Sequence, residues 1–233
     1  MAFIVHGGDI VDDGHRLNHW LNFLEASQPY VRSVPFLPTM GNHDVYGQGR
    51  DWFGQFFPYP QEGSPETGVY SVGYGSLRLF VLNSEAERSS MECQAAWLRA
   101  EVTAAEEPWL VAVLHRAPYN SNPLRGPDAS ATVFAPVLEE LGIDIVLTAH
   151  DHVYMRTKPM YAGEPAFGPQ GTVYITGGVA GTKFYPGQSF SYTDVLYAAN
   201  VPTYVIITAA ESRLEGTAWN PDGDKVDSWF LTR

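Results

Sequence analysis

Trp109-Leu110-Val111-Ala112-Val113-Leu114-His115 is the stretch on which the fold turns: six consecutive apolar residues run directly into a histidine. A short apolar run bounded by turn residues reads as a buried strand. Three further segments repeat the arrangement. Ala2-Phe3-Ile4-Val5 precedes Gly8-Asp9, and Val34-Pro35-Phe36-Leu37 precedes Gly41-Asn42-His43-Asp44. Ile143-Asp144-Ile145-Val146-Leu147 precedes His150-Asp151-His152. Ligands in open α/β sheets gather at the carboxyl ends of strands. Four strand ends far apart in sequence can therefore meet at one site. Together they would supply one carboxylate, one amide oxygen and three or four imidazoles, the donor set of a two-metal hydrolytic centre.

Around these runs the remaining segments alternate. Leu17 to Ala26 predicts an amphipathic helix with Leu17, Trp20, Leu21 and Leu24 on one face. Trp52 to Phe57 predicts a short aromatic helix, and Tyr59 to Gly68 a surface loop rich in Pro, Gly, Ser and Glu. Val69–Val72 and Leu77–Asn83 read as paired strands. Ser90–Ala105 reads as a helix that buries Ala95, Leu98 and Val102. Tyr119–Ala129 reads as a loop, and Ala131–Leu141 as a helix closed by Gly142. Thr172–Thr176 and Thr203–Thr208 read as strands, with Arg213–Trp219 and Asp227–Leu231 as further candidates. The chain is thus α/β in its first half and β-rich later. The expected architecture is a two-sheet β-sandwich core flanked by helices, in one domain over residues 1–233.

Composition sets bounds on function. A chain of 233 residues buries roughly 70–75% of its unfolded surface, enough for a large core. Its formal net charge of −12 argues against nucleic-acid or anionic-membrane binding through bulk charge. It does not argue against phosphate substrates, because bound cations would dominate the local field. Cys93 is the sole cysteine, so no intrachain disulfide is expected and the redox compartment stays open. No run of 18 apolar residues predicts a transmembrane helix, and the residues before Phe3 give no expectation of a signal peptide. No Gly-x-Ser-x-Gly, P-loop or Rossmann glycine pattern occurs, which removes support for serine-hydrolase and nucleoside-triphosphate readings.

The text GGDIVDDG, PTMGNHD, VLHRAPYNS and TAHDHVYMRT, in that order, resembles the calcineurin-like metallophosphoesterases, close to the purple acid phosphatase branch. Tyr70-Ser71, Gln94 with Trp97-Leu98, and Thr176-Gly177-Gly178 support the resemblance. It covers most of the chain and implies a four-layer fold. It also implies that Asp9 bridges two metals and that Asn42, His115 and His150 complete the shell of the second. His152 would bind the first metal. His43 would face the substrate phosphate and protonate the leaving oxygen. Asp44 would either orient His43 or cap the following turn.

Three departures stand out. The family opens with a strand ending in Asp-x-His or Asp-x-x, ahead of the Gly-Asp motif. Here the Gly-Asp strand begins at Met1, so the first strand is expected to be missing, through truncation or an internal start. That leaves the first metal with Asp9 and His152, Asp12 being a further candidate, and an open sheet edge compatible with a homodimer. Asp12 also stands where the purple enzymes carry a tyrosine, so no tyrosinate-to-iron colour is expected. Finally, Ala149 replaces the glycine of Gly-His-x-His, a mild change unless that backbone needs a positive φ.

The expected activity is hydrolysis of small phosphorylated substrates, phosphomonoesters before phosphodiesters, by two iron, zinc or manganese ions and a metal-bound hydroxide. The alternative is a catalytically impaired or truncated protein of the same fold that binds one metal or a phosphate. Relatives with this motif set are often exported, which leans toward an extracytoplasmic or secreted location. Arg156 and Tyr154 are expected to pack behind the site, with Arg156 long enough to reach a phosphate. His6, His15 and His19 carry no motif and are expected in core or surface roles.

Overall fold

A computed structural model describes residues 1–59, 67–166 and 170–233. Its strands are β1 (Ile4–His6), β2 (Phe36–Pro38), β3 (Tyr70–Tyr74), β4 (Leu77–Val81), β5 (Trp109–Arg116), β6 (Ile145–Ala149) and β7 (Tyr154–Thr157). There follow β8 (Met160–Tyr161), β9 (Glu164–Pro165), β10 (Val173–Gly177), β11 (Thr193–Tyr197), β12 (Tyr204–Ala210), β13 (Arg213–Trp219) and β14 (Lys225–Thr232). The helices are α1 (Leu17–Val31), α2 (Gly49–Phe56), α3 (Arg88–Ala104) and α4 (Ala135–Glu140), the last entered through a π-turn at Ser130–Phe134. Of the expected loop Tyr59–Gly68, residues 60–66 lie outside the described residues.

The large sheet has seven strands in the order β11-β7-β10-β6-β5-β4-β3. Its centre is parallel, β4 with β5, β5 with β6 and β6 with β10. Two smaller sheets, parallel β1-β2 and antiparallel β12-β13-β14, cover one of its faces. Side-chain alternation along the strands explains this layering. Leu79, Val81, Val111, Val113, Ile145 and Ile175 face the smaller sheets, where they meet Val5, Leu37, Val205, Ile207, Leu214 and Ala218. The intervening Phe80, Leu82, Ala112, Leu114, Val146 and Tyr174 face the other way, onto Met91, Ala95 and Leu98 of α3 and Leu138 of α4. A third apolar cluster, Trp20, Met40, Phe53 and Phe57, seats α1 and α2 against Phe36 of β2. The order helices, sheet, sheets, helices is the four-layer sandwich expected.

Some elements differ from expectation. Leu17 and Leu21 of α1 are 39% and 51% exposed. The helix is instead anchored by fully buried Trp20, whose Nε1 donates to Gly14 O at 3.0 Å, and by Phe23 against Phe36. It also continues past Ala26 to Val31, with Pro29 in the last turn, where it removes one backbone N–H donor shortly before the helix ends. The helix expected from Ala131 begins as a π-turn, and regular α geometry starts beside Pro136, which cannot donate to the preceding turn. Gly142 closes it at φ +66°. Strands β7 and β11 were not anticipated. Their edge-side pairing, bulged between Thr193 and Val195, is driven by neighbours and not by an apolar run.

Candidate metal centre

The parallel strands β1, β2, β5 and β6 each deliver a donor from the carboxyl end. His115 lies near the end of β5 and is almost fully buried. Its Nδ1 lies 2.7 Å from the Gly7 carbonyl beyond β1. That bond ties the two sheets together and fixes the tautomer, because Nδ1 must carry the proton and Nε2 is left as the ligand atom. His115 Nε2 then lies 3.0 Å from His150 Nδ1, 3.2 Å from Asn42 Oδ1 and 3.4 Å from Asp9 Oδ2. Asp9, His115 and His150 each offer a donor atom within 4.8 Å of the others. Four lone-pair donors crowded this closely repel one another unless a proton or a cation lies among them.

The backbone is bent to achieve this. Asp9 and His150 hold φ of 53° and 69°, and His152 57°, conformations that non-glycine residues adopt at a cost of about 1–3 kcal/mol each. The positive φ falls on His150, one residue after Ala149, so alanine is tolerated where the family carries glycine. Gly8 is required: at φ +90° a β-carbon there would lie 2.7 Å from Gly41 N and 2.8 Å from His115 Nδ1.

Electrostatics follow from the same contacts. Burial would raise the Asp9 carboxyl, but the His115 ring and the His43 N–H bring it down to about 2. Burial opposes protonation of His115, yet Asp9 raises it above the usual imidazole value. Burial, with the charges of His115, Arg125 and Arg116, pushes His150 down to about 2. A neutral imidazole beside an ionised carboxylate is what a transition metal needs.

His43 donates its backbone N–H to Asp9 Oδ1 at 2.9 Å, and its ring Nδ1 lies 2.6 Å from the Asp12 carbonyl oxygen. The Asp12 side chain itself is 85% exposed, a solvated turn acid. Asp44 is fully buried. Its carboxylate accepts Gly41 N–H at 2.8 Å and Val11 N–H at 3.2 Å, and burial pushes it up to about 7. Of the two roles weighed for Asp44, it therefore takes the turn-capping one. The His152 ring sits outside the four-donor cluster, its Nδ1 2.7 Å from the Lys183 carbonyl and its face 4.5 Å from the Tyr185 ring.

Several contributors carry no motif of their own. Arg116 pairs with Glu85 at 2.8 and 2.9 Å and reaches His150 Nε2 at 3.5 Å. Arg125 donates to His150 O at 2.9 Å and to Asp151 Oδ1 at 2.8 Å, while Asp151 Oδ2 accepts from Ser121. Arg116 directly follows the motif residue His115, a signal visible in the sequence; Arg125 and Tyr185 come from loops without pattern. Arg156 is withdrawn from the site: it pairs with Asp227 at 2.7 Å and Asp194 at 2.6 Å, beside the Tyr154 hydroxyl. Neither His15 nor His19 bonds to the centre among the described residues. His6 lies behind it, between Phe23 and Phe36, and burial lowers its ring to about 4.

The profile of calcineurin-like phosphoesterases matches residues 2–154, which span β1 through the start of β7. The chain belongs to the calcineurin-like phosphoesterase family. Within that family it is 30% identical to purple acid phosphatase 18 of Arabidopsis thaliana, over 80% of this chain and 45% of the relative. It is 26% identical to probable inactive purple acid phosphatase 27 of the same plant, over 81% of this chain and 35% of the relative. Purple acid phosphatase PPD1 from yellow lupin seeds shares the fold, with TM-score 0.88 and 22% identity over 100% of this chain and 47% of that one. The chain spans about half the length, or less, of these phosphoesterase relatives.

Proposed function

We propose that the protein hydrolyses phosphoesters on a two-metal centre, phosphomonoesters of small molecules first and phosphodiesters second. The observation that carries this reading is the convergence of Asp9, Asn42 and His150 on the buried Nε2 of His115. The donor set, imidazole with carboxylate and amide oxygen, suits iron, zinc or manganese. In this reading Asp9 would serve both ions, Asn42, His115 and His150 would hold one, and His152 would contribute to the other. When bound, such ions lower the pKa of water and neutralise phosphoryl oxygens.

The chain's own groups supply the rest. Gly7 orients His115 through its carbonyl. Asp44 braces the Gly41–His43 turn from within, fixing where His43 stands. With the His43 Nδ1 proton donated to the Asp12 carbonyl, Nε2 faces outward, and in the imidazolium form it carries the second proton, which passes to the leaving oxygen. The setting is proposed as extracytoplasmic or secreted; no described helix is long and apolar enough to cross a membrane.

The test is hydrolysis of nitrophenyl phosphate and bis-nitrophenyl phosphate by metal-loaded protein. Turnover of the monoester, reduced on the order of 10²–10⁴-fold in His43→Ala, is expected. Turnover of neither ester would overturn the reading in favour of a metal-binding protein without this activity. A relative named as probably inactive makes that a concrete alternative.

A further inference from the structure

Above the ligands, the mouth of the centre carries a second cluster that the proposed chemistry does not use. Tyr185 stands in its middle. The His152 ring lies 4.5 Å away, the Arg125 guanidinium carbon 5.1 Å from the Tyr185 centroid, and Lys183 Nζ 5.5 Å from it. Both distances suit cation–π contact. Arg125 is neutralised by Asp151 at 2.8 Å. Lys183 has no carboxylate within ion-pair distance among the described residues. Its backbone carbonyl lies 2.7 Å from His152 Nδ1, which ties Lys183 to the His152 side of the centre.

This placement needs a reason. The chain has three lysines and a net charge of −12, so cations are scarce. A cation beside a centre built to take metal ions repels them unless an anion lies between. The phosphate under attack would be held by the metals and by groups deeper in the site. Lys183 is exposed beside His152, where the remainder of a substrate would lie.

We propose that Lys183, braced on Tyr185, forms a rim that reads a second anionic group on the substrate, a carboxylate or a phosphate. The inference rests on the phosphoesterase reading and narrows its substrate class to phosphomonoesters with a further negative charge. Charge-assisted contacts at an exposed rim are modest, so the expected discrimination is modest too.

The test compares phosphoglycolate, propanediol bisphosphate and nitrophenyl phosphate as substrates of wild type, Lys183→Gln and Lys183→Arg. In Lys183→Gln, kcat/KM for at least one doubly anionic substrate, relative to nitrophenyl phosphate, should fall about fivefold, mainly through KM. Lys183→Arg should restore it. A fall for phosphoglycolate alone identifies a carboxylate as the group read; a fall for the bisphosphate alone identifies a phosphate. Calorimetry with propane-1,3-bisphosphonate against methylphosphonate gives a readout without turnover: wild type should prefer the bisphosphonate, and Lys183→Gln should lose that preference. Unchanged ratios in both assays overturn the rim. Absence of turnover for all three substrates in wild type overturns the phosphoesterase reading instead, and calorimetry then judges the rim alone.

Discussion

The two sides of the centre are built in different ways. Asp9, Asn42, His115 and His150 stand at strand ends, and one buried nitrogen of His115 touches the other three donors. His152, only two residues further on, stands on a bend, half-exposed, held by a loop carbonyl and a loop tyrosine. Strand ends inside a packed sandwich fix donors before any ion arrives, whereas the positive φ angles are shared by Asp9, His150 and His152 on both sides. A loop-borne ligand must be ordered when its ion binds. The strand-end side should therefore hold its metal more tightly than the His152 side.

The largest effect should come from Asp9→Ala. It removes the carboxylate proposed for both sides, so metal content by elemental analysis should fall toward zero, and retention of one ion would show that the sides do not share Asp9.

Next comes pH, read behind the strand-end side. Below pH 6.5 the unfolded chain takes up a proton on His6 that the folded chain refuses until about pH 4. Stability of metal-free protein should fall as pH drops through that window and flatten below it. Urea denaturation at pH 6.5 and pH 4 should show wild type losing up to about 3 kcal/mol more than His6→Gln. Equal losses would mean that His6 is not held neutral by the fold.

Smaller again is a packing test at the same strand end. A β-carbon at Gly7 would lie 2.7 Å from the Ala149 methyl. Gly7→Ala should cost about 2 kcal/mol, and Ala149→Gly in the same chain should recover most of it. Additive costs in a double-mutant cycle would break the claim that these two residues meet.

The smallest effect belongs to the loop side. Asp151 orders the His150–His152 bend through Arg125 and Ser121. Asp151→Asn should weaken metal binding about tenfold, the low end for groups that orient ligands. A calorimetric titration with no change would mean the bend is held by other contacts.

Much of this contrast could be read in the residues themselves. The apolar runs before Asp9, Asn42, His115 and His150 are nearly continuous, broken only by Asp144 in the last; β5 and β6 are covered on both faces, which makes their ends legible. The capping role of Asp44 was one of two open readings, since sequence spacing cannot say whether a carboxylate faces a ring or its own turn. The rim was illegible: Arg125, Lys183 and Tyr185 lie in irregular loops 60 residues apart, brought together only by the fold. The amphipathic reading of α1 holds for Trp20 and Leu24 and not for Leu17 and Leu21. Leu17 and Leu21 match the helical period, but Phe23, outside that face, packs against His6 and Phe36.

The most direct test is a calorimetric zinc titration of wild type, His115→Ala and His152→Ala. Wild type should bind a tight ion that His115→Ala loses and His152→Ala keeps. Loss of that ion in His152→Ala, or its retention in His115→Ala, would contradict a centre built on the four strand ends.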